Sequence, residues 1–264
     1  MTSQPSPVPT PHPYRLIKDN DQLREHYHDL GKDDVFIGRL RLQPSEESLV
    51  VDLLSRGVML FPSGLAQLLC RSKAMQATVF ADEMLPGTCT IHDLHGLLLL
   101  MARYQRLGIG KVVSKRDRAN AGLGINLWGS LEEVFNQASL GTLPFPFVIQ
   151  PFYENCRDIR VVILGDYREA YWRDNPDNFR NNLHFGGQST PVELSSAQLA
   201  LCHRVMARGA FSYAHLDLMV TADRQSYLAE INLRGGIRGA AISAPEYQRR
   251  VESIHQRFRE GLGL

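Results

Sequence analysis

Two hydrophobic periods run along this chain, and the elements follow from which one is in force at each place. Val35–Leu40, apolar but for Gly38 and Arg39, and Val58–Pro62 are short enough for strands. Between them Leu49, Val50, Leu53 and Leu54 recur at helical spacing. Ser45 is the expected N-cap of that helix, with Ser48 rather than a capping-box Glu at the third helical position, and Gly57 ends it. Residues 35–62 therefore predict a strand–helix–strand unit, a small lobe of parallel strands. Tyr14–Leu30 is only weakly amphipathic, and Met1–Pro13, rich in Pro, Ser and Thr, reads as a disordered tail.

Helical periodicity returns over Ser63–Gln76 and over Thr90–Leu107, the second with His92 and Asp93 in its first turn. Lys111–Lys115 is a short strand that delivers a small-residue loop, Arg116–Gly124. Such a loop either lies over phosphates, because small residues let backbone N–H groups approach, or is simply mobile. It matches neither the P-loop nor the dinucleotide pattern. Ser130–Gln137 is a helix opened by a capping box, Ser130 with Glu133. Phe145–Phe152 is a strand ending in a tight segment. Asp158–Leu164 and Glu169–Arg173 form a hairpin around Gly165-Asp166, from which Arg160 and Arg173 project. Asp177–Gly187 is polar, basic and glycine-ended, whereas Ser195–Ala207 and Pro245–Leu262 are helices.

The most informative stretch is Tyr213–Ala240. It predicts two apolar strands joined by a polar turn at Thr221–Ser226. Asp217 lies between Leu216 and Leu218, and Glu230 and Asn232 flank Ile231, so alternation puts the latter two on one face. If the strands pair, three oxygen donors converge. Such a set suits Mg²⁺, which takes one or two carboxylates and completes its shell with water and phosphate. The alternative is three solvated strand-edge residues.

Composition excludes more than it identifies. The chain has 264 residues, 44% apolar and 22% charged, with a net charge of +1. That balance gives no support to a nucleic-acid or anionic-membrane partner. Cys70, Cys89, Cys156 and Cys202 have neither metal-ligand nor redox spacing, which fits free thiols in a reducing compartment. The absence of a long apolar run and of a basic-then-apolar start leads to the expectation of a cytoplasmic protein. His92, His95, His203, His215 and His255 show no ligand spacing and read as structural or solvated.

Five motifs taken in order carry a resemblance. They are the hinge-like Gln150-Pro151-Phe152, Asp158-Ile159-Arg160, Arg173 at the end of the next strand, the run Asn178–Gly187, and Asp217 with Glu230-Ile231-Asn232. Over roughly Phe61–Ala241 the chain resembles the ATP-grasp superfamily, and most of all its RimK-like glutamate-ligase branch. The resemblance implies an α+β ATP-grasp fold with an α/β N-terminal lobe over 14–66. The ATP-grasp domain would follow over 67–264, with subdomains at about 67–150 and 151–264, and would hold a nucleotide between two antiparallel-sheet lobes. It implies ATP and two Mg²⁺ ions as cofactors, with Mn²⁺ as a substitute. Asp217, Glu230 and Asn232 would be the metal ligands. Lys73 and Lys115 would reach the phosphates, and Gln150, Pro151, Phe152 and Tyr153 would form the adenine hinge. Glu154 or Asp158 would hold ribose, with Asn181 near the γ-phosphate. Arg173, Arg180 and Asn182 would be catalytic.

The activity implied is a carboxylate–amine ligase acting through an acyl phosphate. Its partners would be small-molecule or peptide acids and amines, or a protein acceptor, with no nucleic acid or membrane; a homo-oligomer is compatible. An ATP-binding scaffold without turnover and a small-molecule kinase on the same fold are the alternatives. Two departures stand out. Pro151 replaces the usual hinge Glu, removing an acceptor and a backbone N–H. Arg234-Gly235-Gly236 replaces a small-Pro-Gly turn, and with Arg238 it adds cations suited to an anionic substrate.

Overall fold

Val35, Phe36 and Ile37 are all buried, as a strand covered on both faces requires. They form the middle strand of a parallel sheet in a computed structural model that describes residues 14–119, 124–174 and 188–264. The chain divides into two units at Gly64/Leu65. The first holds β1 (Leu16–Ile17), α1 (Asn20–Glu25), β2 (Val35–Ile37), α2 (Ser48–Ser55) and β3 (Met59–Phe61), with strand order β1-β2-β3. β2 and β3 are parallel, with Val35 opposite Met59, so the strand–helix–strand pattern is as the periodicity predicts. The weakly patterned Tyr14–Leu30 stretch supplies more than expected. It adds the edge strand β1, and α1 is started by Asp19, whose side chain accepts from the Asp21 and Gln22 N–H groups. The capping expectation at Ser45 fails. The box is closed one turn earlier, by Gln43 and Glu46 around a 3₁₀ turn, and α2 starts without a side-chain cap.

α3 (Gly64–Leu69) starts at the boundary residue and α4 (Lys73–Val79) follows in the second unit, in place of one helix over Ser63–Gln76. The break comes from Ser72, whose extended backbone and Oγ cap the Met75 N–H. Next come β4 (Cys89–Ile91) and α5 (Leu94–Leu107). The expected helix start at Thr90 is therefore a strand instead. Asp93 is the N-cap of α5, accepting from Gly96, and Gly108 closes it in the left-handed conformation at φ 68°. β5 (Val112–Arg116), β6 (Ile125–Trp128), α6 (Leu131–Ser139) and β7 (Phe147–Pro151) complete a four-stranded antiparallel sheet ordered β4-β7-β5-β6. Periodicity missed β6, which is only four residues long. Leu97, Leu100 and Tyr104 of α5 pack with Leu131 and Val134 of α6 against Phe147 and Ile149 of β7.

A five-stranded antiparallel sheet follows. It contains β8 (Arg157–Leu164), β9 (Tyr167–Asp174), β10 (Gln188–Pro191), β11 (Tyr213–Val220) and β12 (Ser226–Asn232) in the order β10-β9-β8-β11-β12. α7 (Ser196–Arg208), started by a capping box of Ser195 and Gln198, lies between β10 and β11 in sequence. α8 (Ala244–Gly261) is capped by Ser243 and packs on β8. The expected 158–173 hairpin and the 213–232 strand pair are both present. No helix among the described residues is long and apolar enough to cross a membrane.

Candidate active site

Register places the site. Asp217 of β11 lies directly opposite Glu230 of β12 and Arg160 of β8, and His215 lies opposite Asn232. Asp158 lies opposite Arg173 of β9. Residues opposite each other, and residues two apart on one strand, share a face. Arg173, Asp158, Arg160, Asp217, His215, Glu230 and Asn232 therefore lie on one face of four adjacent strands. The β11–β12 register shifts just after Asp217, a bulge of the kind that re-aims side chains at functional sites.

That face carries a buried ion network. Arg160 donates from Nε to Asp217 Oδ1 and from Nη2 to Oδ2 at 3.0 Å. Arg173 reaches the same Oδ2 at 2.9 Å and donates from Nε to Asp158 Oδ1 at 2.6 Å. Burial alone would raise the Asp217 carboxyl, but the two guanidiniums outweigh it and hold the group well below the usual carboxylate range. Asp158 moves the other way: burial and the neighbouring Asp217 push it up to about 6, against the pull of Arg173.

The rest of the unit delivers further cations to this face. Lys73, the first residue of α4, donates to Glu230 Oε1 at 3.0 Å and to the Ala119 carbonyl at 2.7 Å. Asp117 fixes the start of that helix, accepting from Ser72 Oγ at 2.9 Å and the Ala74 N–H at 3.0 Å. Lys115 of β5 comes from the four-stranded sheet. Burial pushes its ammonium down to about 8, although Glu230, Asp217 and Asp158 pull it up. Four cations, Lys73, Lys115, Arg160 and Arg173, thus face three carboxylates. The surplus positive charge suits a polyphosphate.

The hinge segment is partly engaged. Gln150 is buried, and its Nε2 lies 3.5 Å from Met219 Sδ of β11, joining the two sheets. Pro151 pairs with Val112 at the end of β7, and the Phe152 N–H already donates to the Lys111 carbonyl at 3.0 Å. Tyr153 is exposed, and Glu154 pairs at the surface with Lys111. Asp158 lies in the ion network rather than with these hinge residues. The predicted Arg180, Asn181 and Asn182, the run Asn178–Gly187 around them, and Asn120–Leu123 of the small-residue loop lie outside the described residues.

Among the described residues no three His, Cys, Asp or Glu side chains group to hold a metal ion. The predicted set is different, two carboxylates plus the Asn232 amide, and its hard oxygen chemistry fits Mg²⁺. Those carboxylates are neutralised by arginine and lysine, which are also the residues suited to meet phosphate. Sequence reasoning assigned no role to Arg160, Gln76 or Asp117. Arg160 had a readable signal, since it alternates with Asp158 on the strand that flanks Asp217. His215 reads as structural: it is 1% exposed, with Nε2 3.0 Å from the Tyr247 hydroxyl and Nδ1 without a hydrogen-bond partner among the described residues. A Cβ on Gly235 would stand 2.8 Å from that Nδ1 and 2.9 Å from Arg160 Nη1, so a side chain there would have to displace one or both.

Comparison with known proteins adds the following. A model of the RimK-like ATP-grasp domain matches residues 110–244, just over half of the chain. A probable alpha-L-glutamate ligase of Sodalis glossinidius is 30% identical over 97 residues, 35% of this chain and 32% of that protein. A glutathione synthetase of Agrobacterium fabrum is 28% identical over 179 residues, 61% of this chain and 51% of that protein. The matched region thus spans a third to a half of these relatives. Among solved structures, D-cycloserine synthetase DcsG superposes with TM-score 0.61 at 14% identity, over 84% of this chain and 83% of that one. The ATP-grasp ligase PsnB complexed with minimal precursor, Mg and ADP does so with TM-score 0.58 at 15% identity, over 86% and 78%. These likenesses establish the fold as ATP-grasp.

Proposed function

This chain belongs to the RimK-like ATP-grasp family, and from that membership we propose that it is an ATP-dependent carboxylate–amine ligase. The observation that carries this reading is the shared face on which Asp217, Glu230 and Asn232 meet Lys73, Arg160 and Arg173, with Lys115 arriving from the opposite sheet. In the reaction, a carboxylate oxygen of the acid attacks the γ-phosphorus of ATP, the bond to the bridging oxygen breaks, and ADP departs with that electron pair. The amine nitrogen then attacks the acyl carbon, inorganic phosphate leaves, and the amine proton passes to solvent.

The chain's own residues bind and orient. Lys73 and Lys115 hold phosphate oxygens as compact point charges. Arg173, with Arg180, faces the acyl phosphate through bidentate donors. Asn181 and Asn182 flank the γ-phosphate. The backbone of Gln150–Tyr153 cradles adenine; with the Phe152 N–H occupied, its carbonyls do more of that work. We assign ribose to Glu154, which lies beside the hinge, and make Asp158 the partner that aligns Arg173. Asp217, Glu230 and Asn232 hold Mg²⁺, which when bound neutralises phosphate charge. No covalent enzyme nucleophile is needed, because positioning and electrostatics supply the catalysis.

We extend the reading to two metal ions, with Mn²⁺ able to substitute, and to a small N-terminal lobe before the ATP-grasp domain. The reduced cysteines fit a cytoplasmic setting. Small-molecule or peptide substrates fit the named relatives, which include a glutathione synthetase and a ligase holding a precursor. The test is ADP release with Mg²⁺ and ATP across a panel of amino acids and peptides, with mass spectrometry for the amide. Amide formation that disappears in Glu230→Ala is the expected result. A stable phosphorylated product would make the protein a kinase, and ATP binding without turnover on any acid would make it a scaffold.

A further inference from the structure

Gln76 is a buried polar side chain, 2% exposed, three residues after Lys73 on α4. Both donors and the oxygen of its carboxamide are engaged. Nε2 donates to the Ile231 carbonyl at 2.9 Å and to the Leu69 carbonyl at 2.8 Å, and Oε1 accepts from the Ile231 N–H at 3.0 Å. The partners fix the orientation of the amide, since the flipped form would set oxygen against two carbonyl oxygens. β12 is the outer strand of its sheet, so its outward backbone groups need partners. At Ile231 one glutamine side chain takes both groups, as a neighbouring strand would.

Ile231 is the residue between Glu230 and Asn232. Holding its N–H and C=O fixes the local plane of the strand, and with it the direction in which both flanking side chains leave the backbone. The same short helix sends Lys73 to Glu230 one turn earlier. α4 therefore grips the strand at two points, one on the backbone and one on a carboxylate. A leucine at position 76 would fill the space and leave both Ile231 groups unpaired and free to rotate the strand edge.

We propose that Gln76 is a positioning residue for the metal site: by locking the Ile231 backbone it makes Glu230 and Asn232 face one ion, and it ties that arrangement to Lys73. This rests on the ligase reading above. It assigns no contact between Gln76 and substrate or metal.

The test is Gln76→Met, close in volume but unable to pair with the backbone. Mn²⁺ affinity is measured by electron paramagnetic resonance in the presence of a non-hydrolysable ATP analogue. Binding of the analogue alone, in EDTA, is measured by calorimetry. Loss of groups that orient metal ligands costs about 10- to 100-fold in metal affinity. A loss of at least about tenfold in Mn²⁺ affinity is therefore expected, with metal-free analogue binding within about twofold of wild type. Val134→Ala, in the α5–α6 core, is the destabilised control, and it should lower the unfolding temperature without moving Mn²⁺ affinity. Should Gln76→Met not fold, Gln76→Asn, which keeps the amide but cannot span the distance, is measured with the same expectation. Mn²⁺ affinity unchanged in the Gln76 variant, or lowered equally in Val134→Ala, overturns the inference while leaving the ligase reading standing. Wild-type protein that binds neither Mn²⁺ nor analogue overturns both.

Discussion

Lys115 offers a quantitative test of the nucleotide reading. Its ammonium sits at about 8 in the free protein, against an ordinary value of 10.5, and burial is the main cause. Between pH 8 and 10.5 the folded chain binds fewer protons at this group than the unfolded chain, so its contribution to stability improves as pH rises through that window. Below pH 8 the charged, desolvated lysine costs the apo fold at most about 3 kcal/mol, less where the side chain meets water. An anionic ligand reverses the balance. Phosphate beside the ammonium favours the charged form and raises its pKa, so binding must take up a proton wherever the free lysine is already neutral.

At pH 8 the expected uptake is about half a proton per nucleotide, and at pH 9 it approaches one, for a bound pKa near 10. The nucleotide's own ionisation contributes equally to wild type and to Lys115→Met, so the difference between the two proteins isolates the lysine. Above pH 8 affinity should fall by up to about tenfold per unit until the bound lysine itself titrates. The assay is isothermal titration of a non-hydrolysable ATP analogue at pH 7, 8 and 9, in buffers of different ionisation enthalpy. Lys115→Met should bind more weakly at pH 7 and lose the uptake seen in wild type at pH 8 and 9. Flat uptake in wild type, or undiminished uptake in Lys115→Met, would refute the placement of Lys115 against the phosphates.

Three further expectations rest on other parts of the structure. Asp217→Ala leaves Arg160 and Arg173 buried without their shared carboxylate, and urea unfolding should show a loss of about 3–5 kcal/mol; a loss under about 1 kcal/mol would mean the network does not hold the sheet face together. Burial beside Arg160 pushes His215 down to about 4, so the stability it contributes is intact above pH 6.5 and is lost as pH falls from there toward 4, by about 3 kcal/mol in all. His215→Gln should flatten that part of the acid-unfolding curve, and an unchanged curve would place the titration elsewhere. Tyr104→Phe removes the 2.8 Å bond to the Gly87 carbonyl under the four-stranded sheet and should cost about 1 kcal/mol in chemical denaturation; no measurable cost would mean that water replaces the hydroxyl.

How much of this was legible beforehand depends on where the information resides. Period-2 alternation and tight turns are local, so β8, β9, β11 and β12 could be read from the chain, and the motif order pointed to the family and fold. The pairing of Asp217 with Glu230 needs only those strands and the turn between them. Elements set by side-chain caps were harder. Ser72 splits one apparent helix in two, and Asp93 delays another by four residues, because a single oxygen bonded to a backbone N–H outweighs an apolar pattern that either start would satisfy. Short β6 and β10 carry too few residues for a period and exist because neighbouring strands supply partners. Least legible were the residues that act across the fold. Gln76 meets Ile231 across 155 positions, and nothing near either residue announces the contact. Arg160 stands within the Asp158-Ile159-Arg160 motif, but its task is defined by Asp217 on the adjacent strand. Metal ligands betray themselves by chemical type, whereas the groups that aim them are ordinary polar residues whose meaning comes only from what they touch. Asp217, Glu230 and Asn232 can be proposed from the sequence by chemical type, but Gln76, Arg160 and Asp117, which hold the strand, the carboxylate and the helix beside them, emerge only from their contacts.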